Sequence, residues 1–224
     1  MCGRFVQKED NPNRIKRVIP DLKIGSLVPS YNIAPSQNAL VIYQKDGHHH
    51  GRYFRWGLVP SWAKDPAIGN RMINARLETV TEKPSFKGPF RRHRCLVPVS
   101  GFYEWKKQGE VKMPYYIHFH DELVYFAGLY DTWKTGEGDA LHSFTILTQE
   151  ANAFSKAYHD RMPVIVRDAQ LLSWLDGSLV EEKRILALLD TFPNDQMGAY
   201  PVSRQVNSPA FNSPLCVERD PGIN

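Results

Sequence analysis

The chain has 224 residues with a formal net charge of +4; 42% are hydrophobic, 12% aromatic and 23% charged. That length supports one domain with a full core, and the composition excludes wholesale disorder and collagen-like or coiled-coil designs. No run approaches the roughly 18–20 apolar residues of a membrane span, and the opening Met-Cys-Gly-Arg-Phe has polarity where a secretory signal needs its apolar run. A cytoplasmic protein is therefore expected, nucleoid-associated if bacterial, with no membrane partner.

Read in chain order, a short helix is expected around 13–18, with Pro12 suited to its first turn. Strand-like runs rich in β-branched and aromatic residues follow at 39–43, 53–59, 95–99, 115–119, 123–130 and 143–148, bounded by Gly, Pro, Asn or Asp. Helical periodicity comes late, at 169–175 and 180–189, where Ile185, Leu186 and Leu189 share a face. All but one of the sixteen prolines, Pro98, lie outside these elements, and no linker separates two compositions. The pattern predicts a single α+β domain over 1–224, built on a curled, mainly antiparallel, barrel-like sheet with peripheral helices. A short polar tail is expected over 217–224.

Three cysteines, Cys2, Cys95 and Cys216, make neither a disulfide framework nor a CxxC zinc pair. Cys95 lies in an apolar strand and reads as core, and Cys216 as incidental. His48-His49-His50 reads as a loop of solvated histidines rather than a metal site, and no cofactor is expected. Charge is unevenly spread. From Arg71 to Cys95 seven basic residues (Arg71, Arg76, Lys83, Lys87, Arg91, Arg92, Arg94) face only Glu78 and Glu82, so this segment carries 7 − 2 = +5. Such a local field fits an anionic partner, nucleic acid foremost, or a solvated charged surface.

Cys2 carries chemistry of its own. Trimming of Met1 would make it an N-terminal 1,2-aminothiol, whose α-amine has a reference pKa of about 7.7–8.0 and attacks carbonyls at neutral pH. Amine addition to an aldehyde gives a Schiff base, and thiol addition to that imine closes a five-membered thiazolidine. Gly3 permits a tight backbone approach, and Arg4 can fork onto an anion. A processed Cys followed by Gly also begins the N-terminal nucleophile amidotransferases, so Cys2 alone leaves both chemistries open.

Further along, Tyr31-Asn32-Ile33-Ala34-Pro35, Trp56-Gly57-Leu58-Val59-Pro60-Ser61-Trp62, Ile73-Asn74-Ala75-Arg76-Leu77-Glu78-Thr79, Arg94-Cys95-Leu96-Val97-Pro98, Gly101-Phe102-Tyr103-Glu104-Trp105 and His159-Asp160-Arg161-Met162-Pro163 follow Cys2-Gly3-Arg4-Phe5 in order. Together these motifs closely resemble the SRAP family of SOS response-associated peptidases, over nearly the whole chain.

The resemblance implies a covalent crosslinker of abasic sites in single-stranded DNA, or at single-strand/duplex junctions. Cys2 would capture the ring-opened sugar aldehyde, with secondary lyase activity and autocatalytic Met1 removal. By the same resemblance Glu104 is the acid/base carboxylate, although alone it reads as an outward residue of an alternating strand. His159 is the proton-shuttling histidine and Asn74 the asparagine that orients the sugar or the amine; alone they read as turn or cap residues. Arg4, Arg76 and Arg161 are implied phosphate contacts, and Asn32, Pro35 and Thr148 line the same groove. Trp62 and Phe86 are candidates for stacking on exposed bases, or else core aromatics. A monomer is expected. The competing readings are an amidohydrolase using the Cys2 thiol and a non-catalytic single-strand-binding module.

Overall fold

The computed structural model describes residues 2–134 and 138–222, apart from the side chain of Gln108. Met1 and the last two positions of the expected tail lie outside the described residues. Thirteen strands are present among the described residues: β1 (Phe5–Gln7), β2 (Ser30–Ile33), β3 (Asn38–Lys45), β4 (His48–Trp56), β5 (Asn74–Arg76), β6 (Arg94–Val99), β7 (Gly101–Gln108), β8 (Val111–Phe119), β9 (Val124–Lys134), β10 (Ala140–Glu150), β11 (Arg161–Pro163), β12 (Ile165–Val166) and β13 (Met197–Pro201). Four short α-helices accompany them: α1 (Pro12–Lys16), α2 (Pro84–Arg92), α3 (Leu171–Leu175) and α4 (Glu182–Leu186).

Five strands close on themselves in the order β3-β6-β9-β10-β4, making a small barrel in which only the β4–β10 pairing is parallel. Alternation explains how its wall is sealed on both sides. Val41, Tyr43, Phe54, Trp56, Cys95, Val97, Phe126, Phe144 and Ile146 point into one core. Their neighbours Leu40, Ile42, Leu96, Ala127, Leu129 and Leu147 point outward into a second, which is covered by Ile15, Phe90, Trp174 and Ile185 from the four helices. The second sheet, β2-β1-β7-β8-β13, is antiparallel throughout. It lays Phe5, Phe102, Ile117 and Phe119 against the barrel core. Its other face, with Val6, Tyr103 and Tyr116, is covered by Val202, Val206 and Cys216.

Several expectations are corrected. The strand expected over 53–59 stops at Trp56, because Gly57 turns with φ +124° and a Cβ there would lie 2.5 Å from the Gly69 carbonyl oxygen. The late helices shrink to five residues each, with only Ile185 fully buried in α4. Helix α2, within the basic segment, was not anticipated; Pro84 begins it and Pro89 lies inside it. The three histidines form the start of β4 after a two-residue turn, Asp46-Gly47, with φ of 51° and 76°. His49 is buried, its Nδ1 2.7 Å from the Asp21 carboxylate. Nor is the end of the chain a free polar tail as far as residue 222. Cys216 is buried in the third core, Arg219 bridges Val202, and the Asp220 amide donates to the Pro201 carbonyl.

Nor is all of the charge in the +5 segment free at the surface. Arg94 is 2% exposed and donates to the carbonyls of Phe90, Arg91, Trp174, Asp176 and Leu179, while burial lowers its pKa to about 10. Arg91 pairs with Glu182 at 2.8 Å. Arg94 thus ties α2 and α3 to the barrel wall. Replacing it by Leu orphans five carbonyls, an expected loss of about 3 kcal/mol, or roughly 6–12 °C in Tm for a chain of this size. Calorimetry of Arg94→Leu checks this.

Candidate functional site

Cys2 sits where the two sheets meet. In the β1–β7 ladder Phe5 opposes Phe102, and the Tyr103 amide donates to the Arg4 carbonyl at 2.9 Å, continuing the register one residue. Cys2 is completely buried in the core between the sheets, its thiol 3.8 Å from that same Arg4 carbonyl. From the barrel side the Asn74 side-chain amide donates to the Cys2 carbonyl at 2.8 Å. Asn74 is held because β5 runs parallel to β10 (Asn74 opposite Ile146), and the preceding Ile73 carbonyl accepts the Trp56 indole N–H at 2.8 Å.

Glu104 does not point outward as its strand pattern alone would read. On β7, Phe102 and Glu104 face the core between the sheets, whereas Tyr103 and Trp105 face the third core. Glu104 is 5% exposed, and burial raises its carboxyl pKa to about 7. The Cys2 thiol is pushed well above its usual range, first by burial and then by the Glu104 charge, so the two groups sense each other. Tyr115 of β8 is the register partner of Glu104, and its ring lies 5.1 Å from that of Tyr158.

His159 follows Tyr158 just before β11. Its Nδ1 accepts the Arg161 amide at 3.0 Å, so in the neutral ring the proton resides on Nε2. Burial lowers its pKa, favouring that neutral ring near pH 7. Arg161 and Thr148 come together because β11 pairs with the last residues of β10. The Arg161 guanidinium forks onto Glu78 at 2.6 and 2.9 Å and donates to the Thr148 carbonyl at 2.6 Å. That hydrogen bond lowers the Glu78 carboxyl pKa. Arg76 stands exposed on β5, opposite Thr148.

Other expected groove residues are committed elsewhere. Asn32 is 1% exposed: its amide donates to the carbonyls of Val206, Ser208 and Phe211, and its oxygen accepts Arg4 Nη1 at 2.7 Å. Arg4 Nη1 also donates to the Val206 carbonyl at 2.8 Å, beside the Trp105 ring. Thr148 is fully buried, with Ala75 and Arg161 as partners. Phe86 packs half-buried against the helix-covered core, and Pro35 is half-buried on the loop after β2. Trp62, at 60% exposure, walls a cleft of about 550 Å³ with Ala63, Lys64, Asp65, Ala67, Ile68 and Arg71. That cleft lies on the 57–73 excursion and not at Cys2. Sequence reasoning singled out neither Tyr115 nor Tyr158, since single aromatics carry no local signal. Glu78 stood inside a quoted motif, but nothing in its spacing announced the Arg161 pair. Among the described residues no group of three or more His, Cys, Asp or Glu side chains is arranged to hold a metal ion, and no helix is long and apolar enough to cross a membrane.

Comparison with known proteins agrees with this arrangement of motifs. Residues 1–209 match the family described as SOS response associated peptidase (SRAP). The chain is 43% identical over 222 residues to the abasic site processing protein YoqW of Bacillus subtilis, covering 97% of this chain and 99% of that one. It is 34% identical over 221 residues to the abasic site processing protein HMCES of Xenopus tropicalis, covering 84% of this chain and 65% of that protein. Its fold is similar to a crystal structure of a Bacteroides thetaiotaomicron protein, with a TM-score of 0.86, 28% identity and coverage of 98% and 100% of the two chains. The chain belongs to the SOS response associated peptidase (SRAP) family.

Proposed function

We propose that this chain processes abasic sites, capturing the lesion covalently in single-stranded DNA through Cys2 once Met1 has been removed. The observation that carries the reading is the buried Glu104 carboxyl beside Cys2, its pKa raised to about 7. A carboxyl half-protonated at neutral pH can donate and withdraw protons in one reaction cycle.

Protonated Glu104 assists opening of the sugar hemiacetal to its aldehyde. The Cys2 amine adds to that carbon, and loss of one water leaves the Schiff base. The thiol then adds across the C=N bond, sulfur to carbon and proton to nitrogen, closing the thiazolidine. Because burial holds the thiol protonated, the amine is the first nucleophile, which favours this order over thiolate attack on an amide. Asn74, donating to the Cys2 carbonyl, fixes the backbone on which the amine is carried. Neutral His159 carries its proton on Nε2 and serves as a donor to a sugar oxygen. Removal of the proton next to the Schiff-base carbon, with cleavage of the C–O bond to the 3′ phosphate, gives a secondary lyase activity. Autocatalytic removal of Met1, a monomeric state, a cytoplasmic location and action as one functional unit over 1–224 belong to the same proposal. Arg76, exposed beside the site, supports a phosphate contact, and exposed Trp62 supports stacking on an unpaired base.

Denaturing gels of the processed protein with a single-stranded oligonucleotide carrying one abasic site test the reading. A heat-stable adduct, absent with Cys2→Ser and with undamaged DNA, is expected; no adduct from protein lacking Met1 overturns it. The rate of adduct formation should peak between pH 7 and 8. It rises as the amine, with a reference pKa of about 7.7–8.0, loses its proton, and falls as Glu104 ionises through about 7. Glu104→Gln should slow capture about 100-fold, as expected for loss of a general acid, and should abolish the falling limb.

A further inference from the structure

The cations around Cys2 differ in how much charge they have left to offer. Arg161 is neutralised by the forked Glu78, and Arg4 has one guanidinium nitrogen spent on Asn32 and Val206. Lys106 is different. It lies two residues beyond Glu104 on the same face of β7, roughly 6.6 Å along the strand, and is half-buried. Its ammonium rests 5.3 Å from the centre of the Tyr158 ring, which in turn packs on Tyr115 and on Phe154, the latter at 5.7 Å. Among the described residues no carboxylate comes within 4.0 Å of it.

With no carboxylate partner among the described residues, the ammonium is left to attract an incoming anion. Docking on an aromatic face lowers the side-chain entropy lost when that anion arrives. Tyr158 adjoins His159, and Tyr115 opposes Glu104 across the ladder, so the cation is fixed to the two elements that carry the proposed proton donors.

We propose that Lys106, seated on Tyr158, binds a backbone phosphodiester of the DNA strand next to the abasic sugar. The ligand class is a phosphodiester, read by charge without regard to base. This rests on the DNA-processing reading above, but its test is separable from it.

Each phosphate neutralised on a single strand contributes about 0.7 to the slope of log affinity against log salt. Fluorescence anisotropy with an undamaged 15-nucleotide single strand, titrated from about 50 to 200 mM salt, therefore reads the contact without any covalent chemistry. Lys106→Gln should weaken binding at low salt and lower the slope by about 0.7, whereas Lys106→Arg should keep the slope. Lys107→Gln removes a charge from the neighbouring exposed position and should leave the slope at its wild-type value. An unchanged slope in Lys106→Gln overturns the assignment, as does an equal drop in Lys107→Gln or a failure of the wild type to bind the strand. Adduct formation with an abasic strand, run alongside, separates this from the Cys2 chemistry: loss of adduct with the slope change intact sinks only the latter.

Discussion

Strand β10 is the constraint on which the molecule depends. Its first half closes the barrel, lying between β9 on one side and β4 on the other. At Phe144 β4 ends, and from Ile146 its place beside β10 is taken by β5; the pairing with β9 also stops at Ile146, and from Thr148 its place is taken by β11. Backbone hydrogen bonds mark the hand-over, with the Gly57 amide donating to the Phe144 carbonyl and the Ile146 amide to the Ile73 carbonyl. The same strand that makes the barrel a closed object therefore delivers Asn74, Arg76, Thr148 and Arg161 to one end of it. Closure removes the free edges that an open sheet would carry. The short replacement strands turn what would be an edge into one wall of the candidate site.

The second sheet supplies the other half. The first half of β7, Gly101 to Glu104, is covered on both faces, by the barrel core on one and by the C-terminal segment on the other. A carboxylate there is buried whichever way it points. Glu104 takes the face toward Cys2, and the cost of desolvating it is expressed as a raised pKa. The stability cost of that burial and the usefulness of the group at neutral pH are one physical fact.

The barrel strands were legible because their β-branched and aromatic runs are long, and the α+β, mainly antiparallel class followed from them. Strands of two or three residues such as β5, β11 and β12 were not, since a period of two needs more length than that to register. Glu104 shows a different limit. Phe-Tyr-Glu-Trp alternates nothing, because both faces of its strand are covered, so the direction of the carboxyl cannot be read from pattern. The basic stretch from Arg71 to Cys95 shows a related limit. Adjacency in sequence says nothing about shared surface when β6 turns Arg94 inward and Arg76 stands exposed on β5. The family resemblance, carried by whole motifs, named candidates whose local patterns were silent; of these, Asn32 and Thr148 are buried partners of Arg4 and Arg161.

The hydrogen bonds that join Arg4 and Asn32 to Val206, Ser208 and Phe211 have a consequence for how the protein folds. Arg4 and Val206 stand 202 residues apart in sequence. Contacts of such separation carry a large loop-closure cost and form after the more local strand pairs. The N-terminal strand therefore gains its last partners late in folding, and the length of the loop between them delays assembly of the candidate site.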